Sequence, residues 1–112
     1  MHEIAVCEAI AGTVRQRSGG RHLAQIRVRI GYLRQVVPDS LLFSWEMVTA
    51  GTDLEGCRLD VDYIPAVVVC AACGEQSTLE LPILACGSCD SFNVQLITGD
   101  EFDLASFDVE VA

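Results

Sequence analysis

Residues 66–98 read AVVVCAACGEQSTLELPILACGSCDSFNVQLIT, and two short hooks within them decide the organisation of the chain. These are Cys70-Ala71-Ala72-Cys73 and Cys86-Gly87-Ser88-Cys89, separated by twelve residues. Two residues between paired cysteines let each hook curl until both sulfurs face one metal, and Gly74 permits a left-handed backbone just beyond the first. Four thiolates at this spacing close a tetrahedron around zinc, as in a zinc ribbon or knuckle. The hooks are flanked by an apolar leading strand (Val67, Val68, Val69) and an exit strand (Val94, Leu96, Ile97). That is too little apolar surface to fold unaided, whereas structural zinc contributes about 10–16 kcal/mol of apparent binding energy to peptides of this kind. A four-thiolate shell has no open coordination position, so the predicted site is structural and not catalytic. Rubredoxin-like iron uses similar hooks, and spacing alone does not separate the two metals.

Outward from this module, the remaining sequence alternates between helical and extended patterns. Glu3 to Arg17 carries Ile4, Cys7, Ile10, Ala11 and Val14 at helical spacing, with Gly19-Gly20 ending the helix. Leu23 to Tyr32 alternates, with Ile26, Val28, Ile30 and Tyr32 opposed to Gln25, Arg27, Arg29 and Gly31, which predicts a half-buried strand. A second helix opens at Pro38 with Leu41, Leu42, Trp45 and Val48 inside, and Gly51 stops it. Cys57 to Tyr63 and Phe102 to Val111 alternate again. The expected fold is α+β: two helices packed on a three-stranded, mainly antiparallel sheet, with an inserted four-cysteine zinc-ribbon module. The domains are then 1–65 plus 99–112, an α/β domain, and 66–98, the zinc module. Cys7 and Cys57 fall on apolar faces and read as small core hydrophobes. His22 reads as a surface residue.

Composition narrows the function. The longest apolar stretch, Ile64 to Ala72, contains Pro65 and falls far short of the roughly 20 residues of a membrane helix. The start, Met-His-Glu-Ile, lacks the pattern of a signal peptide, so a cytoplasmic protein with reduced cysteines is expected. Residues 1–34 hold six arginines against two acids, while residues 35–112 hold Arg58 alone against fourteen acids, and lysine is absent. The basic stretch suggests a docking face for an acidic partner. Residues 66–98 contain Glu75, Glu80 and Asp90 and no arginine or lysine, which argues against nucleic-acid binding, since phosphate binding is driven by counterion release to cations. Thioredoxin-type chemistry needs one CxxC at a helix start in a βαβ setting, which the pattern does not offer.

At the other end of the chain, the Met1 amine, the His2 amide nitrogen and the His2 imidazole can form fused chelate rings in one plane, with Glu3 completing a fourth position. Planar nitrogen coordination suits Ni(II) or Cu(II) and not tetrahedral Zn(II). Met1-His2-Glu3 opening an amphipathic helix, Arg29-Ile30-Gly31 closing a strand, the two cysteine hooks, and Gly99-Asp100-Glu101-Phe102 occur in this order. Together they resemble the HypA/HybF family of hydrogenase nickel-incorporation proteins over essentially the whole chain. Gly87 stands where members often have proline, and Asp39 is left out of the site although some members supply an acid before the second helix.

The resemblance implies a nickel metallochaperone with no catalysis of its own. His2 would be the principal nickel ligand, assisted by Glu3 and the Met1 amine, while Cys70, Cys73, Cys86 and Cys89 hold zinc. It further implies transient Ni(II) and structural Zn(II), with a HypB-type GTPase and a hydrogenase large-subunit precursor as partners; on the charge and apolar-run arguments above, no nucleic acid or membrane is expected. A monomer or weak homodimer is expected, with urease open as a second recipient. The competing reading is a zinc-ribbon module that binds protein or nucleic acid.

Overall fold

The computed structural model describes residues 2–110. Helix α1 spans Glu3–Ser18, strand β1 Leu23–Gly31, a short 3-10 turn Tyr32–Arg34, helix α2 Pro38–Thr49 and strand β2 Arg58–Ile64. Strands β3 (Val67–Cys70), β4 (Gln76–Thr78) and β5 (Val94–Thr98) follow, and β6 (Phe102–Val109) ends the sequence of elements. The expected order of helix, strand, helix, strand, metal module and strand is present. Val111, placed in the last strand from sequence, lies outside the described residues. The strands form two sheets, ordered β2-β1-β6 and β4-β3-β5.

The first sheet is mixed. Arg58 donates to the Gln25 side chain and Arg27 to Asp60, so partners advance together along β1 and β2, as parallel strands require. Between β1 and β6 they run oppositely: Glu110 N–H donates to His22 C=O, and Gly31 N–H to Glu101 C=O. The chain reaches β2 from β1 through α2, a βαβ crossover that forces the parallel pairing. Antiparallel pairing, expected throughout most of the sheet, holds on the β6 side of β1.

By contacts the chain divides into two compact units, one of residues 1–29, 36–62 and 103–112, the other of 30–35 and 63–102. The core of the first joins Val6, Cys7, Ile10 and Val14 of α1, Leu41 and Trp45 of α2, and Leu23, Ile26 and Val28 of β1. The Trp45 indole N–H donates to Cys57 C=O at 2.8 Å, so its one polar atom is satisfied inside. Two helix faces differ from expectation. Ile4 is 38% exposed and Val6 is buried in its stead, and Leu42 is 45% exposed while Ser44 and Thr49 lie inside. Thr49 tolerates burial because its hydroxyl donates to Trp45 C=O one turn back at 2.7 Å.

The arginines of the first thirty-four residues largely meet acids from later in the chain. Arg15 pairs with Asp53 at 2.9 Å, Arg27 with Asp60 at 2.7 Å and Arg34 with Asp100 at 3.4 Å. The basic stretch is therefore interleaved with carboxylates and does not form the bare cationic face that the charge split suggests.

In the second unit, β3 pairs antiparallel with both neighbours, Val68 opposite Ser77 on one side and Leu96 on the other. Gly31 and Gly99 mark a backbone contact: a Cβ on Gly31 would lie 2.2 Å from the Gly99 carbonyl carbon, and one on Gly99 would lie 2.4 Å from Ala66 Cα. Gly31 and Leu33 N–H groups donate to Glu101 and Gly99 C=O at 2.7 and 2.8 Å. The two glycine-bearing segments singled out from the sequence thus meet in space, and close backbone approach is why each needs glycine.

Candidate metal sites

The two hooks are built on one template. Strand β3 delivers Cys70 to the buried side, and its N–H donates to Glu75 C=O while Gly74 N–H donates back to Cys70 C=O. Sixteen residues on, Cys86 N–H donates to Ser91 C=O and Asp90 N–H to Cys86 C=O. Gly74 and Asp90 occupy the equivalent left-handed positions, with φ of 78° and 61°. Within each hook two amides point at the first sulfur: Ala72 and Cys73 N–H at Cys70 Sγ, at 3.3 and 3.4 Å, and Ser88 and Cys89 N–H at Cys86 Sγ, at 3.3 and 3.5 Å.

The sulfurs converge. Cys70 and Cys89 Sγ are 3.7 Å apart, Cys73 and Cys86 Sγ are 3.6 Å apart, and all four lie within 4.8 Å of one another. A tetrahedron with metal–sulfur bonds of about 2.3 Å has an edge of about 3.8 Å, so the cluster has the size of a zinc shell and not of a pair of disulfides. Electrostatics agree. The Cys73 amide, above all, pulls the Cys70 thiol down to about 7, and the Cys89 amide likewise lowers Cys86. The Glu75 amide acts to lower Cys73, but the bond to Cys86, burial and the remaining sulfurs outweigh it and push Cys73 up to about 12. Cys89 is raised in the same way, against its Ser91 amide. Four like charges at this separation cannot coexist alone, and a dication that replaces the thiol protons is what the donor set fits.

His2 and Glu3 lie in the other unit. His2 is the N-cap of α1, exposed, with extended backbone and no side-chain capping bond; its C=O accepts from Val6 N–H at 3.1 Å. A shallow cleft of about 350 Å³ is lined by His2, Glu3 and Ile4 of α1 and by Ser40, Phe43 and Ser44 of α2. Met1 lies outside the described residues. Asp39 is exposed in the first turn of α2 and is not part of the cleft lining. Sequence reasoning reached His2 and Glu3 but missed Ser40, Phe43 and Ser44, because no local pattern tells which turn of α2 faces the start of α1.

The family model described as hydrogenase/urease nickel incorporation, metallochaperone, hypA, matches residues 1–109. The chain belongs to the HypA family. The hydrogenase maturation factor HypA of Nostoc sp. (strain PCC 7120 / SAG 25.82 / UTEX 2576) is 34% identical over 110 residues, covering 98% of this chain and 96% of that protein. That of Methylocella silvestris is 35% identical over 113 residues, covering 98% and 100%. In fold, the chain is similar to the solution structure of the Ni metallochaperone HypA from Helicobacter pylori, with a TM-score of 0.65, 19% identity and 97% of both chains covered. As a HypA protein it is a nickel-incorporation metallochaperone of hydrogenase and urease maturation, not an enzyme.

The remaining residues of this HypA chain fit that assignment. Cys7 is fully buried, and burial first, then the charge of Glu3, pushes its thiol up to about 11; burial also raises Cys57. Both are inert packing groups. His22 pairs with Glu110 at 2.9 Å on the surface. Each hook is itself a turn, over residues 71–73 and 87–89, and no helix starts at either, which removes the setting that thiol redox chemistry requires. No helix among the described residues is long and apolar enough to cross a membrane.

Proposed function

We propose that this HypA protein takes up Ni(II) at Met1, His2 and Glu3 and holds structural Zn(II) on Cys70, Cys73, Cys86 and Cys89. The observation that carries the nickel reading is the position of His2: exposed, at a helix end, with its imidazole free of a capping role and beside an open cleft. The first four N–H groups of a helix have no intrahelical partner, so the Glu3 amide, like the His2 amide before it, is not committed to the helix ladder. Nickel can claim planar nitrogen donors here without unwinding α1. The helix macrodipole opposes a cation at this end by about 0.3–1 kcal/mol, and the Glu3 carboxylate offsets it. A shallow site so balanced suits a cargo that must be released.

On this reading, residues 1–65 and 99–112 serve as the nickel-binding domain and 66–98 as the zinc module. The protein works in the cytoplasm as a monomer or weak homodimer. It passes nickel on with a HypB-type GTPase to a hydrogenase large-subunit precursor, and urease is a second recipient.

Calorimetric nickel titration of untagged protein tests the site, run beside His2→Ala and a form extended by several residues before Met1. The wild type is expected to bind one nickel. Loss of even an outer-shell partner typically costs about 10–100-fold in metal affinity, so loss of a ligand should cost at least that in both variants. Equal binding by all three would refute the site.

A further inference from the structure

The second unit carries a feature that metal holding does not explain. Residues 79–85, Leu-Glu-Leu-Pro-Ile-Leu-Ala, are apolar apart from Glu80 yet lie largely on the surface: Leu81 is 64% exposed, Ile83 54% and Leu84 47%. The segment is held by its own backbone. Leu79 N–H donates to Ala66 C=O, and two successive three-residue turns follow, Ile83 N–H to Leu81 C=O at 2.7 Å and Ala85 N–H to Ile83 C=O at 2.9 Å. Tyr32 Oη–H donates to Glu80 C=O at 2.8 Å. Fixed in this way, Leu79, Leu81, Ile83 and Ala85 line a cleft of about 570 Å³. The size falls within the roughly 300–1,000 Å³ of typical ligand clefts.

The second cysteine hook lines the same cleft. Gly87 and Ser88, between Cys86 and Cys89, line it together with Asp90. Gly87 N–H donates to Ser77 Oγ at 3.0 Å, which ties the hook to β4. One wall is therefore set by the four-sulfur cluster itself. Glu80 and Asp90 both line the cleft, and residues 66–98 contain no lysine or arginine to neutralise them. Apolar residues beside two carboxylates, with no lysine or arginine in the module, select an occupant by charge as well as by shape. This lining repels nucleic acid and anionic lipid surfaces and favours an apolar segment that brings its own cations.

We propose that the cleft between residues 79–85 and the Cys86–Cys89 hook docks an extended apolar segment of a partner protein, flanked by lysine or arginine. Zinc then does more than hold the module together, because it shapes one wall of a recognition site. The partner's apolar side chains cover Leu81 and Ile83, and its cations meet Glu80 and Asp90.

The test is selection of phage-displayed random 12-residue peptides on immobilised, zinc-loaded, full-length protein, followed by affinity measurement with the enriched peptides made synthetically. Enriched sequences should join two or more adjacent apolar residues to lysine or arginine. Leu81→Asp/Ile83→Asp should weaken binding about thirtyfold, as expected when central apolar anchors are lost. Glu80→Lys/Asp90→Asn, which takes away both carboxylates and keeps at position 90 a residue that tolerates the left-handed backbone, should instead weaken the basic-flanked peptides at low salt and remove the fall in their affinity with rising salt. Zinc content and circular dichroism of both variants should match the wild type. The proposal fails if enriched peptides bind both variants as they bind the wild type, if acidic-flanked peptides win on the wild-type protein, or if no family of peptides is enriched. It also fails if Leu81→Asp/Ile83→Asp chiefly abolishes self-association in sedimentation, which would make the face a contact between copies.

Discussion

The four-cysteine cluster and the nickel site proposed at the amino terminus are built on opposite principles. At the hooks, amide groups aim at sulfur, and four donors from two turns converge to a closed shell of the size a zinc ion needs. At the amino terminus, the proposed donors are consecutive residues at the start of a helix, with His2 open to solvent beside a shallow cleft. A closed shell retains its metal and lends binding energy to folding, whereas an open one gives up its metal readily. On the proposed function, the contrast is between a metal that belongs to the protein and a metal that passes through it.

Breaking the closed site should have the largest effect. Cys73→Ser removes one of four donors and, with it, a share of the roughly 10–16 kcal/mol that structural zinc supplies to such modules. Residues 66–98 should lose dispersed amide resonances, and zinc content should fall below one equivalent, while the signals of α1 and α2 persist. Retention of zinc with a dispersed module would show that three sulfurs suffice and that a closed shell is not required.

A smaller effect is expected where backbone, not metal, secures the second unit. Gly31→Ala places a Cβ into the Gly99 carbonyl carbon. Overpacking of this kind costs about 1–3 kcal/mol, seen as a lower melting temperature with zinc still bound. An unchanged melt would mean that the contact between the two glycine segments yields without cost.

How much of this was legible in the sequence follows the same divide. The hooks were legible because ligand spacing is a local property. So were β1 and the burial of Ile26, Val28 and Ile30, because alternation is local too. Strand β4 was not, since Gln76-Ser77-Thr78 is polar and is recruited by pairing with β3. The parallel pairing of β1 and β2 was implicit in the strand–helix–strand order, but single-strand periodicity carries no direction. Hydrophobicity alone points Leu42 inward, whereas α2 turns Ser44 and Thr49 to the core beside Trp45. The cleft residues Ser40, Phe43 and Ser44 depend on how α1 and α2 pack, which no local pattern records.

A weaker, pH-dependent effect separates the buried thiol of the first unit from the metal-holding ones. Cys7 is raised in the folded protein to about 11 from an ordinary 9.0. A group whose pKa is raised on folding favours the native state fully below its unfolded value, and that favour is lost as pH climbs towards the folded one. Urea stability should therefore fall between pH 9 and 11, and Cys7→Ala should flatten that slope. A slope unchanged in the variant would assign the loss to other groups. The smallest effect on the fold is expected from His2→Ala, which should leave melting temperature and zinc content unaltered while nickel binding is lost. A destabilised His2→Ala protein would make the residue part of the scaffold.

The division of labour between the sites is tested most directly by X-ray absorption at the nickel and zinc edges of one sample, full-length protein carrying one equivalent of each metal. The expected spectra show zinc with four sulfurs at about 2.3 Å and nickel with nitrogen and oxygen neighbours alone. Sulfur in the nickel shell, or fewer than four sulfurs around zinc, would contradict it.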